Sequence, residues 1–338
     1  MRNMHWQDRL HDLSKLRLTY AGRDYDRTHA LIDGKVRPEN TELKYIVVED
    51  PDQIFRRMIG HKEFDSCEFS LSSYLASRCA GDRSYVGLPV FPSRLFRHSY
   101  IFCNKAARIK EPADLAGAKV GVLEWQQTAA IWIRGILQHE YDVPIQSIDW
   151  VRFRGERYPM KRVRRFKIIE APDLAPETSI ERAGDALEKG EIDALISSRP
   201  PAGLYNGKRI RRLFSEWEAE ERGYYERTGI FPIMHTVVLQ RRVYDANPWV
   251  AKSLFDAFQS SKMYGYKYLE DHGDKISLVW ARSALEEQRG LMGPDPYPYG
   301  LRGNRKVIST FMDYQLEQEV IEKEVPLDDI FAQDSSTD

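Results

Sequence analysis

Cysteine is scarce in this chain: Cys67, Cys79 and Cys103 are the only three in 338 residues. An odd number excludes a fully paired disulfide framework, and the spacings match no metal-binding pattern. Long apolar runs are missing too, and no stretch approaches the roughly 20 apolar residues of a membrane-spanning helix. The opening segment MRNMHWQDRLHDLSKLRLTY has neither the apolar core nor the small-residue cleavage site of a secretory signal. Charge of one sign is not in excess. Fifty Lys and Arg face 51 Asp and Glu, a net charge of -1, so nothing global draws the chain to nucleic acid or to an anionic membrane. The phosphate-cradling GxGxxG and GxxxxGK[ST] patterns are absent, as are HExxH, CxxC and GxSxG. The eight histidines are scattered, none paired at i, i+4. These absences predict a reduced, cytoplasmic protein with no nucleic-acid or membrane partner and no metal site built by protein alone. A divalent ion shared with a substrate stays compatible with them.

What is present is alternation. Strand-like LRLTY (16–20) precedes a segment in which Asp24 fits an N-cap, the next ten residues suit a helix, and Gly34 fits the stop. LKYIVV (43–48) reads as a strand, DPDQIFRRMIG as a helix with an Asp-Pro start and Gly60 at its end, FDSCEF as a strand and SLSSYLASRC as a helix. This βαβαβα order predicts an α/β class with a largely parallel sheet. SYVGLPVFP and SYIFCN are extended, and a strand at 118–123 leads into the amphipathic TAAIWIRGILQHEY. IDWVRF, the helical ETSIERAGDALEKG and the strand EIDALIS complete a second α/β series, and HTVVLQ (235–240) returns the chain to the first. Long helical patterns start at 247 and 305. The aromatic stripe in YGYKYL fits core packing or a homo-oligomer interface. The expected organisation is a first lobe of 16–98 plus 240–330, a second lobe of 99–239, and flexible termini at 1–15 and 331–338.

Two α/β lobes joined by two crossings imply a central cleft, and ligands of open α/β sheets bind beyond the carboxyl ends of the strands. The loops expected there are 22–28, 67–73, 92–98, 124–128, 197–203 and 230–236. They carry Arg23 and Tyr25; Glu68, Ser70 and Ser73; Arg94, Arg97 and His98; Gln126, Gln127 and Thr128; Arg199; and His235. Guanidinium groups suit bidentate recognition of carboxylates, and hydroxyls at a helix start suit an anion. A small anionic, aromatic molecule fits that inventory. Each residue also has a plainer use: Arg94 and Arg97 fit surface ion pairs, and His98 and His235 fit structural histidines. The basic run RFRGERYPMKRVRRFKIIE (152–170) reads as a solvated loop, because its aromatics form no stacking platform.

The stretches YDRTHALIDGKVRPENTELKY, IFRRMIGHKEFDSCEFSLSSYLASR, LPVFPSRLFRHSYIFCN, TAAIWIRGILQHEY and RTGIFPIMHTVVLQRRVYDANPWVAKSL together resemble the 4,5-dihydroxyphthalate decarboxylase family over residues 16 to 325. The resemblance implies a type 2 periplasmic-binding-protein-like fold, two-lobed with a central cleft, used as a carboxy-lyase. It implies non-oxidative loss of CO2 from a dihydroxylated aromatic diacid, with protocatechuate as product. Such chemistry calls for cations on the carboxylates, for which Arg23, Arg94 and Arg97 are candidates. It calls for a proton donor at the ring, His98 or His235, and for Glu68 as base or as the group that orients the histidine. Tyr25, Ser70, Ser73, Gln126, Gln127, Thr128 and Arg199 are the expected substrate binders. No organic cofactor is expected, because the phenol ring is its own electron sink. The competing expectation is a solute-binding protein of an ABC transporter that captures an aromatic or other small carboxylate.

Overall fold

The computed structural model describes residues 15–271 and 276–332. Two mixed sheets organise the chain. The first has five strands in the order β2-β1-β3-β11-β4: β1 (Leu16–Gly22), β2 (Thr41–Val47), β3 (Ser66–Ser70), β4 (Tyr85–Arg94) and β11 (Ile233–Gln240). Strand β1 runs parallel to β2 and β3, whereas β11 runs antiparallel to β3 and β4. The second has six strands in the order β10-β5-β9-β6-β7-β8: β5 (Ile101–Asn104), β6 (Lys119–Val122), β7 (Asp149–Arg152), β8 (Ile168–Glu170), β9 (Ala194–Ile196) and β10 (Ile210–Arg212). Here β6 is parallel to β7 and β9, and β5 is antiparallel to β9 and β10.

Among the described residues, ten α-helices join and cover these sheets. They are α1 (His29–Ile32), α2 (Pro51–His61), α3 (Leu71–Cys79), α4 (Thr128–Glu140), α5 (Ser179–Lys189), α6 (Trp217–Thr228), α7 (Arg241–Ala246), α8 (Val250–Asp271), α9 (Ala281–Met292) and α10 (Arg305–Glu317). Local chemistry sets their starts. The Asp50 carboxylate accepts the Asp52 N–H at 3.1 Å and Pro51 opens α2. Ser70 ends β3 and caps α3, its Oγ accepting the Ser73 N–H at 3.4 Å. Helix α4 is apolar on most of its circumference because it lies between elements. Its Gly135 is required by a close approach: a Cβ there would sit 2.0 Å from the Tyr314 ring of α10.

Several boundaries differ from those expected. No ten-residue helix follows Asp24; only His29–Ile32 is helical, with Thr28 in the N-cap position. The Asp24 carboxylate instead meets His29 Nδ1 at 3.0 Å. Helix α2 runs one residue past Gly60, and Lys62 takes the left-handed conformation that stops it, with φ 48°. The second lobe was expected to extend to 239, but β11 lies wholly within the first sheet, where β3 and β4 satisfy both of its edges. The two crossings run side by side, with the Leu95 N–H donating to the Pro232 carbonyl at 3.1 Å. Helix α10 packs on α4 of the second series through Trp132, Phe311 and Tyr314, rather than on the first lobe alone. The expected flexible tail begins too early. Phe331 is 4% exposed and bridges to Gly87, while 333–338 and 1–14 lie outside the described residues. Among the described residues no helix is long and apolar enough to cross a membrane.

Candidate active site

The two lobes enclose a cleft of about 950 Å³, within the ordinary size of a small-molecule site. Arg23, Ser70, Arg97, Gln127, Thr128, Arg199 and His235 line it, as expected from the strand ends. In its wall stands half-buried His235, backed by the buried carboxylate of Glu68, which does not itself line the cleft. Register puts His235 opposite Ser70 and Val237 opposite Glu68, so His235 and Glu68 are diagonal neighbours on adjacent strands. His235 Nδ1 lies 2.5 Å from Glu68 Oε1. The His235 ring borders the cleft, and Nε2 has no protein partner among the described residues. The Glu68 side chain is 0% exposed. Besides His235 it accepts the Tyr25 hydroxyl at 2.6 Å and the Arg23 backbone N–H at 3.1 Å. Burial alone would push this carboxyl up. The positive charge and hydrogen bond offered by His235, joined by hydrogen bonds from the Tyr25 hydroxyl and the Arg23 backbone, outweigh burial and hold it below its ordinary value.

Two cleft guanidiniums have no acid partner among the described residues. Arg97 is 5% exposed, and Nε and Nη2 reach only the Met234 sulfur, a weak acceptor. Its Nη1 is buried without a partner. Burial pushes Arg97 down to about 10, against the opposing pull of Tyr100 and Glu221. Arg23 likewise leaves its buried Nε unpaired and lies 5.3 Å from the Tyr25 ring centre. A buried guanidinium such as Arg97 and the half-buried one of Arg23 are open positions for carboxylates. Gln127 adds a buried Oε1 with no partner, and Ser70 Oγ meets Thr128 Oγ1 at 3.0 Å across the lobes.

Five expected site residues have other roles or positions. Arg94 lies outside the cleft lining, donating to the carbonyls of Phe231 at 3.1 Å and Pro298 at 2.9 Å and to Asn304 Oδ1. Burial pushes it down to about 10. Arg94→Met leaves those acceptors unsatisfied and should lower unfolding stability by roughly 2–4 kcal/mol. Substrate KM should stay unchanged; denaturant unfolding and initial rates check both. His98 is enclosed by Tyr141, Phe214 and Tyr224 at ring distances of 6.0, 5.5 and 5.3 Å, with both ring nitrogens unpartnered. Burial, helped by Arg227, pushes it down to about 4. Ser73 is buried in α3, and Gln126 turns inward, its amide donating to the Tyr158 carbonyl. Tyr25 sits behind the cleft wall, on Glu68.

The state of His98 makes stability pH-dependent. Its folded-state value lies below the unfolded value near 6.5, so between about pH 6.5 and 4 the unfolded chain binds the extra proton. Stability should fall by roughly 3 kcal/mol as pH drops through that window. His98→Phe should remove that part of the loss, as read from urea midpoints at a series of pH values.

The basic run 152–170 is not simply solvated. Arg154 and Arg157 line the cleft, and both reach Asp52 of α2 in the first lobe and Glu124 in the second. Arg199 pairs with Asp50 at 3.0 Å. These contacts, with Ser70–Thr128, tie the cleft walls together. Among the described residues no group of three or more His, Cys, Asp and Glu is placed to hold a metal ion.

No protein-family model matches the chain. A 4,5-dihydroxyphthalate decarboxylase from Comamonas testosteroni is 35% identical over 308 residues, 89% of this chain and 91% of the relative. A protein of the same name from Pseudomonas putida is 36% identical over 199 residues, 58% of this chain and 75% of its own length. Among solved structures, the periplasmic sulfonate-binding protein SsuA from Methylobacillus flagellatus KT superposes with a TM-score of 0.56 at 11% identity, covering 95% of this chain and 93% of that one. That likeness shows the fold, the two-lobed α/β fold of periplasmic binding proteins. Similarity in sequence over nine-tenths of its length shows the closer kinship: the chain belongs to the 4,5-dihydroxyphthalate decarboxylase family.

Proposed function

We propose that this protein is a carboxy-lyase that removes one carboxylate as CO2 from 4,5-dihydroxyphthalate, leaving protocatechuate. The observation that carries the reading is His235, backed by the buried Glu68 carboxylate, in the same cleft as Arg23 and Arg97, two guanidiniums without acid partners among the described residues. Kinship at 35% identity supports the enzymatic reading over the solute-binding one, whose support is fold alone at 11% identity.

The chemistry follows from the substrate. A hydroxyl para to the departing carboxylate pushes electrons into the ring as its proton is lost. The carbon bearing the carboxylate then takes a proton, giving a non-aromatic dienone. When the bond to the carboxylate breaks, its electron pair re-forms the aromatic ring, CO2 departs and the ring oxygen recovers its proton. Arg23 and Arg97 hold the two carboxylates. His235 delivers the proton from Nε2, while ionised Glu68 holds Nδ1–H and fixes the ring's orientation. Ser70, Gln127 and Thr128 offer hydrogen bonds to the remaining oxygens, and Arg199 stands at the mouth.

Mixing the protein with 4,5-dihydroxyphthalate while following the ultraviolet spectrum and trapped CO2 tests the reading. Equimolar CO2 and protocatechuate are expected. Saturable binding with no conversion would instead favour a binding protein.

A further inference from the structure

Behind the cleft wall, Tyr25 donates its hydroxyl to Glu68 Oε1 at 2.6 Å, the same oxygen that meets His235 Nδ1 at 2.5 Å. Tyr25 itself does not border the cleft. Its ring carries the Arg27 guanidinium at 4.2 Å, and Arg27 is held by the Pro92 carbonyl at 2.7 Å and stacked on Tyr297 at 4.3 Å. A cation over the phenol ring draws electron density from it and strengthens the O–H as a donor. The order is Arg27, Tyr25, Glu68, His235 and then the open Nε2.

We infer that Tyr25 is a positioning residue of the proposed decarboxylation, setting the orientation of His235 through the shared oxygen of Glu68. The inference rests on the reading of His235 as proton donor. A carboxylate in a dry site takes its basicity from the donors it accepts. With three donors in place, Glu68 stays ionised and holds the imidazole in one orientation. Without the phenol, one oxygen is left to His235 alone, the carboxyl becomes easier to protonate, and the ring gains freedom to turn. The other titratable groups facing Glu68 and Tyr25 are Arg23 and Arg27 from the loop after β1, Tyr20 and Tyr45 from β1 and β2, Cys67 from β3, and His235 from β11. Burial pushes Tyr20, Tyr45 and Cys67 up, so they stay neutral wherever Glu68 titrates.

The test is Tyr25→Phe, measured two ways. In steady-state assays kcat should fall about tenfold with KM within twofold, because the phenol touches no substrate. The acid limb of the pH–kcat profile should move up by about one pH unit, since the lost donor stabilised ionised Glu68. By NMR of the imidazole carbons in the free protein, the His235 titration should shift between wild type and variant. Tyr25→Phe with an unmoved acid limb and an unmoved His235 titration overturns the inference, even if kcat and the melting temperature fall together. The NMR arm needs no turnover. A shifted titration in a protein that releases no CO2 would therefore keep the coupling and discard the proposed reaction.

Discussion

His235→Asn should lower kcat by about 10²- to 10⁴-fold, the usual contribution of a positioned proton donor, while KM changes little. Asparagine keeps a polar group near Glu68 but has no proton to give at a position equivalent to Nε2. Because Glu68 is fully buried, the substitution also weakens the compensation for its charge. Some loss of melting temperature is therefore expected alongside the kinetic loss. The kinetic loss is far larger than partial unfolding can explain, and single-turnover rates with the folded variant separate the two. Equal falls in kcat and kcat/KM would mark an interaction made in the transition state.

Arg97→Met has effects of opposite sign on activity and stability. The guanidinium is almost fully buried, lies over the Tyr100 ring at 4.9 Å, donates only to a thioether and has an Nη1 unpaired among the described residues. In a protein without bound substrate it carries an uncompensated desolvation cost, evident in its push down to about 10. Methionine of similar length removes that cost, so unfolding stability should rise by roughly 1–3 kcal/mol. The same change deletes charge-assisted hydrogen bonds to a substrate carboxylate and should raise KM about 10²-fold. Thermal unfolding and initial-rate kinetics on one preparation read both. A structural arginine would give the reverse pattern, with lost stability and unchanged KM, as expected for Arg94→Met.

Comparison of Arg94 with Arg97 shows where the sequence stops being legible. They are three residues apart in the same strand-end motif and look equivalent as letters. Their fates differ because the Pro298 carbonyl and Asn304, more than 200 residues away, capture Arg94 and nothing of the kind captures Arg97. His98, next in line, turns into an aromatic cage whose members come from the C-cap of α4, the loop after β10 and α6. Such long-range partners leave no local pattern. The buried function of Arg154 and Arg157 was hidden for the same reason: Asp52, which neutralises them, is 102 and 105 residues distant. Alternation of apolar strands with capped helices is local, and it made the two α/β series readable. From those followed the strand-end loops, and with them Arg23, Ser70, Gln127, Thr128, Arg199 and His235 on one cleft. The helix expected after Asp24 failed for a physical reason. That segment bends to bring Tyr25 and the Arg23 N–H onto Glu68, and a helix starting there would not.

Where the diacid sits is read from a crystal structure of the slowed His235→Asn variant soaked with 4,5-dihydroxyphthalate. An intact diacid is expected between the lobes, its two carboxylates within about 3 Å of the Arg23 and Arg97 guanidiniums, and one carboxylate-bearing carbon facing residue 235. A diacid seated on Arg154 and Arg199 with its ring turned away from residue 235, or found outside the cleft, would contradict that placement.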